Sequence, residues 1–190
     1  MKDGELEKDG GVLFLTDAEI LDMIECPRKL PPGWKEKVLR LRQQKDSQHM
    51  RSRLKVKDSK GRSYIIFLRQ SMQVPDKYSA GLSWIEDGSG ESTNLLRCNG
   101  KDDHRNPIEM RTGHADWEIR QKEHIHRATY RYQEIGKDAE HFAAATSRYN
   151  NLEGALDSLI KLCRCEDPDR HDGLTEDLFD DEAAWKDGAK

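Results

Sequence analysis

MRSRLKVKDSKGRSYIIFL, residues 50–68, decides the fold. Met50, Ser52, Leu54 and Val56 alternate with Arg51, Arg53, Lys55 and Lys57, the period-two pattern of a half-buried strand whose outer face is wholly basic. Asp58-Ser-Lys-Gly61 reads as a hairpin turn. In Tyr64-Ile-Ile-Phe-Leu68 both faces are apolar, so this strand belongs inside a sheet rather than at its edge. Two strands joined by so short a turn must pair antiparallel.

Reading toward the C-terminus, residues 80–86 (AGLSWIE) and 94–99 (NLLRCN) form a second hairpin across DGSGES, so the sheet is built from sequence neighbours. Residues 99–122 are polar with few periodic apolar positions, and read as a long loop of the kind that carries function. A strand is expected over about 123–132, with His124, His126, Ala128, Tyr130 and Tyr132 on one face and Ile125, Arg127, Thr129 and Arg131 on the other. His141 to Ala145 suggests a further short strand. Leu152, Ala155, Leu156, Leu159, Ile160 and Cys163 follow helical spacing behind an Asn150-Asn151 cap.

Toward the N-terminus, Thr16 and Glu19 make a capping box, and Leu15 with Ile20 a hydrophobic staple. The helix they open carries Ile20, Leu21 and Ile24 and stops at Cys26-Pro27. A Pro-rich connector leads to Trp34, Val38 and Leu41, whose spacing suggests a second helix, with a strand as the alternative. The expected architecture is α+β: a curved antiparallel sheet with an N-terminal helix and a C-terminal amphipathic helix packed on it. It occupies residues 12–165 as a single domain, between a disordered N-terminus (1–11) and an acidic tail (166–190). In that tail Leu174, Leu178 and Trp185 align on one helical face suited to docking on a partner or on this chain's own basic face.

The 190 residues are 36% charged and 35% hydrophobic, so part of the length is not expected to pack. No apolar run approaches the roughly 18 residues of a membrane span, and a cytoplasmic protein is expected. Cys26, Cys98, Cys163 and Cys165 form no CxxC pair and fit neither a zinc knuckle nor a disulfide framework. Cys98 and Cys163 read as small buried residues. The net charge of −4 conceals an asymmetry: residues 28–70 hold fourteen basic against three acidic residues, while 1–27 and 166–190 sum to −6 and −7. A +11 segment implies an anionic partner, nucleic acid first, and acidic ends able to compete for it.

Four of seven histidines, at 104, 114, 124 and 126, fall in one polar window. His124 and His126 on one strand face suit three chemistries. With His104, His114, Asp102, Asp103 or Asp116 they could ligate zinc or manganese. As a neutral base and a protonated acid they could cleave RNA without metal. They could also activate Cys98 or Ser147 as a nucleophile, which no local signature supports. Phosphate contacts would come from Arg105, Arg111 or the basic strand. No cofactor follows from the sequence. Histidine-triad hydrolases require a third alternating histidine where Ala128 stands, two-histidine phosphoesterases require two His-x-Ser/Thr motifs, and no P-loop, Rossmann fingerprint or HExxH occurs.

His104-x-Asn-Pro107, His124-Ile-His126, and Tyr149 with the Leu152–Cys163 helix resemble an uncharacterised bacterial domain family carried by phages and mobile elements. The resemblance runs from about Lys55 to Cys163, including the Gly61 turn and Gly81-Leu-Ser-Trp84. The family shape usually lacks the extended 107–124 window and the acidic tail. It implies a setting of phage–host conflict and no established activity. Two functions stay open. One is a small ribonuclease in which Arg51, Arg53, Lys55, Lys57 and Arg105 hold RNA while His124 and His126 act as acid and base, assisted by His104. The other is a non-catalytic antitoxin, inhibitor or regulator working through protein or nucleic-acid contact.

Overall fold

The computed structural model describes residues 14–169. The N-terminal segment read as disordered and the docking face of Leu174, Leu178 and Trp185 lie outside the described residues. Chain order is α1 (Asp17–Glu25), β1 (Arg28–Lys29), α2 (Trp34–Leu39), β2 (Arg42–Gln43), β3 (His49–Lys57), β4 (Ser63–Ser71), β5 (Tyr78–Ile85) and β6 (Ser92–Arg105). There follow α3 (Pro107–Thr112), a 3-10 turn (Ala115–Trp117), β7 (Glu118–Arg127), α4 (Tyr130–Glu134), a second 3-10 turn (Ala139–His141), β8 (Phe142–Ala145), α5 (Leu152–Leu162) and β9 (Cys165–Glu166).

Strands β2 to β8 form a seven-stranded sheet in sequence order, antiparallel throughout. The α+β class therefore holds. Each strand's next partner is its chain neighbour, so alternation alone fixes which residues share a face. Ser52, Leu54 and Val56 lie on the core face with Tyr64, Ile66, Leu68, Ala80, Leu82, Cys98 and Ile125. Helix α5 covers this face, burying Ala155, Leu156, Leu159 and Ile160. Asn151 caps it by accepting from Gly154 N at 2.8 Å. Helix α1 opens on the expected capping box, Thr16 with Glu19.

β1 and β9 pair in parallel and draw the two ends of the described chain together. Between them Arg28 is fully buried, donating to the carbonyls of Met23, Ile24, Cys26 and Cys163. Its guanidinium lies 4.2 Å from the centroid of Tyr64. Order continues past Cys165, where Asp167 accepts from Trp34 Nε1 and Asp169 from Gly33 N, both at 2.8 Å.

Two expectations need correction. Residues 99–122 are not a loop: β6 runs on to Arg105, α3 and the first 3-10 turn follow, and β7 starts at Glu118. The extension is a two-stranded ribbon with register shifts at Asn99/Asp102 and Asp102/His104, and Lys101, Asp102 and Asp103 are exposed. Along residues 100–105 and 118–123 Ile119 supplies the single apolar side chain, so the ribbon leaves no apolar alternation to read. The expected strand through residue 132 ends at Arg127, and Tyr130 begins a helix. Asp17, 113 residues earlier, accepts from Tyr130 N at 2.9 Å and supplies the cap, a signal absent from the local sequence.

Candidate functional site

The sheet face opposite α5 carries the chemistry. Register places His49, Arg51, Arg53 and Lys55 of β3 beside Arg69, Phe67 and Ile65 of β4, then Ser79, Gly81 and Ser83 of β5. The rows continue through Asn99 and Arg97 of β6 to His124 and His126 of β7. One row thus reads Arg53, Phe67, Gly81, Arg97, His126, and its neighbour Arg51, Arg69, Ser79, Asn99, His124. No carboxylate stands in either row. A cavity of about 250 Å³ opens here, lined by Arg51, Arg53, Phe67, Arg69, Asn94 and Arg97 among others.

Among the described residues, none of these four arginines makes an ion pair, and the buried Nε atoms of Arg51 and Arg97 have no hydrogen-bond partner. Burial pulls the Arg97 guanidinium below its ordinary value, with the charge of Glu140 acting against that and Arg69 adding to it. His49 is likewise held below its ordinary value by burial and by Arg69 and Arg51. An uncompensated cation in a partly desolvated site costs stability and favours an anionic ligand.

At the far end of the rows four histidine rings meet. His104 lies 4.7 Å from His126, 5.2 Å from His141 and 5.8 Å from His124, centroid to centroid, and His124 lies 4.9 Å from His126. The turn Ala139–His141 folds over this end, and His124 and His126 are only 1% and 4% exposed. His126 Nδ1 donates to the Glu140 carbonyl at 3.0 Å, and His124 Nδ1 donates to the Lys122 carbonyl at 2.8 Å. Carbonyls only accept, so both neutral rings carry their proton on Nδ1 and leave an Nε2 lone pair. Asn99 Nδ2 approaches that of His124 at 3.5 Å.

His104 is tied differently. Its Nε2 donates to Asn106 Oδ1 at 3.1 Å. The fully buried Asn106 amide then grips the Ala143 backbone, accepting from N at 3.0 Å and donating to O at 2.7 Å, as a strand neighbour would. The His-x-Asn-Pro motif therefore pins the ribbon to β8, with Pro107 opening α3. Burial, aided by Arg97, pushes His126 down to about 2; burial, aided by His124 and His141, pushes His104 down to about 4. His124 and His141 are lowered as well, chiefly by burial.

The sequence-selected residues fall into separate groups. His104, His124 and His126 come together, joined by His141, while His114 lies exposed beyond α3. Arg51, Arg53 and Lys55 stand on the open face with Lys57 at the end of β3, but Arg105 pairs with Glu118 at 3.1 Å on the ribbon. Cys98 is on the core face with its thiol pushed up to about 12 by burial, which disqualifies it as a nucleophile, and Ser147 is exposed. Among the described residues no three His, Cys, Asp or Glu side chains are placed to hold a metal ion, so the metal shell weighed from the sequence is not assembled there. Sequence reasoning missed Arg69, Phe67, Arg97 and His141. Arg69, Phe67 and Arg97 became site residues only through cross-strand register, and His141 only through the turn Ala139–His141 that brings its ring against His104.

These features define an α+β domain with an arginine-bearing open sheet face ending in a neutral histidine cluster. Comparison of the chain with known protein families, curated proteins and solved structures found no match. Among the described residues no helix is long and apolar enough to cross a membrane.

Proposed function

We propose that the open sheet face binds nucleic acid, RNA in preference, along the rows that run from β3 to the histidine cluster. One observation carries this reading: Arg51, Arg53, Arg69 and Arg97 converge on one cavity without a carboxylate partner among the described residues. Arginine's planar fork suits phosphate, and a strand tracking the rows would neutralise several of these charges together. In the phage–host setting implied by the resemblance, such a module would serve as an RNA-directed toxin, antitoxin or inhibitor.

Anisotropy titrations of labelled RNA against salt concentration test it. Arg51→Ala with Arg53→Ala should weaken binding at least about tenfold and flatten the salt dependence by about 0.7 for each phosphate no longer neutralised. Arg97→Met should weaken binding without lowering the thermal midpoint, because it removes a poorly solvated cation. RNA affinity unchanged in both variants would refute the proposal.

RNA cleavage is a second reading, favoured by the adjacent Nε2 lone pairs of His124 and His126. Both rings are lowered by burial, His126 to about 2, so each is a weak base and supplies no acid at neutral pH until a bound phosphate raises it. His124→Ala and His126→Ala should then abolish turnover, with chelator present, while retaining binding. Binding without any turnover in the unaltered protein would leave the non-catalytic antitoxin or inhibitor.

A further inference from the structure

We infer that the RNA taken by this face is single-stranded and that one of its bases stacks on Phe67. This rests on the RNA-binding reading and specifies its substrate class. Phe67 carries the only phenyl ring in the two rows, which otherwise hold arginine, serine, asparagine, glycine and histidine, and it is half-buried with Ile65 on the same face. Directly across from it on β5 stands Gly81, and a Cβ there would meet Phe67 Cζ at 2.2 Å and Cε1 at 2.5 Å. The ring therefore lies across β5 over the glycine instead of standing away from the sheet. Beyond Gly81 in the same row stands Arg97 on β6, and Arg53 stands on the other side of Phe67 on β3.

The result is a flat apolar platform between arginine-bearing strands in one cavity, which matches a nucleotide base between its flanking phosphates. Covering a glycine with an aromatic ring also shields the sheet backbone, and that role alone would account for the ring's inner face. It would not account for Arg51, Arg53, Arg69 and Arg97 lining the same cavity as the ring. A duplex keeps its bases inside the stack and offers phosphates alone, so it could satisfy the arginines but not the ring. The cavity of about 250 Å³ is below the roughly 300–1,000 Å³ of pockets that enclose drug-sized ligands, consistent with one planar group and not a longer buried segment.

The experiment uses the full chain with three labelled probes: oligouridine of about ten nucleotides, the same length with abasic positions, and an RNA duplex. The single strand should bind at least about tenfold more tightly than the abasic strand, and more tightly than the duplex. Phe67→Leu should lose about ten- to a hundredfold for oligouridine but keep its salt dependence, and Phe67→Trp should retain affinity. A 2-aminopurine probe should be quenched by the unaltered protein and not by Phe67→Leu. Equal affinity for oligouridine and its abasic counterpart overturns the inference without requiring any variant to fold. If that equality accompanies tight, salt-sensitive binding, the arginine reading survives and base stacking alone fails. If no probe binds, both fail.

Discussion

His126 shows how burial turns a histidine from a pH switch into a fixed neutral base. Its folded value of about 2, and that of about 4 for His104, both stand below the ordinary 6.5. As pH falls below 6.5 the unfolded chain takes up protons at these positions and the folded chain does not. Stability is therefore complete above about pH 6.5 and is lost as pH drops toward 4, by about 1.4 kcal/mol per pH unit for each group. Urea unfolding from pH 7 to 4 should show this slope, and His126→Asn should reduce it by about one group's share. An unchanged slope in that variant would mean His126 titrates normally in the fold. At this scale the sequence exposed the residue types and hid their company. His104, His124 and His126 stood out by spacing, yet His141 joined them only because the turn before β8 folds over β7. Arg97, between Leu96 and Cys98, looks like an isolated charge in an apolar strand until register sets it beside His126.

Elements that carry their own boundary signals were legible. α1 has its capping box, α5 its apolar stripe and Asn151 cap, and β3–β4 their alternation around a tight turn. Elements held by distant partners were not. The ribbon of β6 and β7 owes its place to Asn106, whose amide substitutes for a missing strand at Ala143. Asn106→Ala leaves the Ala143 N–H and carbonyl unpaired in a buried position, so it should cost about 2–4 kcal/mol. Denaturant titration measures that loss, and the His104 imidazole resonances should shift with it because Asn106 Oδ1 is the acceptor of His104 Nε2. A cost below about 0.5 kcal/mol, within the range of ordinary surface changes, would show that the clamp is not holding the ribbon.

On the scale of the whole molecule, charge is separated along the chain, and the fold gathers the basic part of it on one sheet face. The +11 segment supplies β3 and β4, whose outer residues form the cationic half of the open face. The chain's end is acidic, with seven acidic and three basic residues between 170 and 190. Its root is fixed, because β9 pairs with β1 and Asp167 and Asp169 accept from Trp34 and Gly33 next to β3. A polyanion tethered that close would have a raised effective concentration at any cationic surface within reach, and would compete there with RNA bound as proposed. Truncation after Asp169 keeps the residues of β9 and of both hydrogen bonds, and an unchanged thermal midpoint would show that it removes charge alone. The shortened chain should bind RNA several-fold more tightly at low salt, and the difference should fade as salt screens the tail. Equal affinity of the two chains at low salt would show that the tail does not occupy the open face. A uniform gain at every salt concentration would point to the release of interactions other than charge.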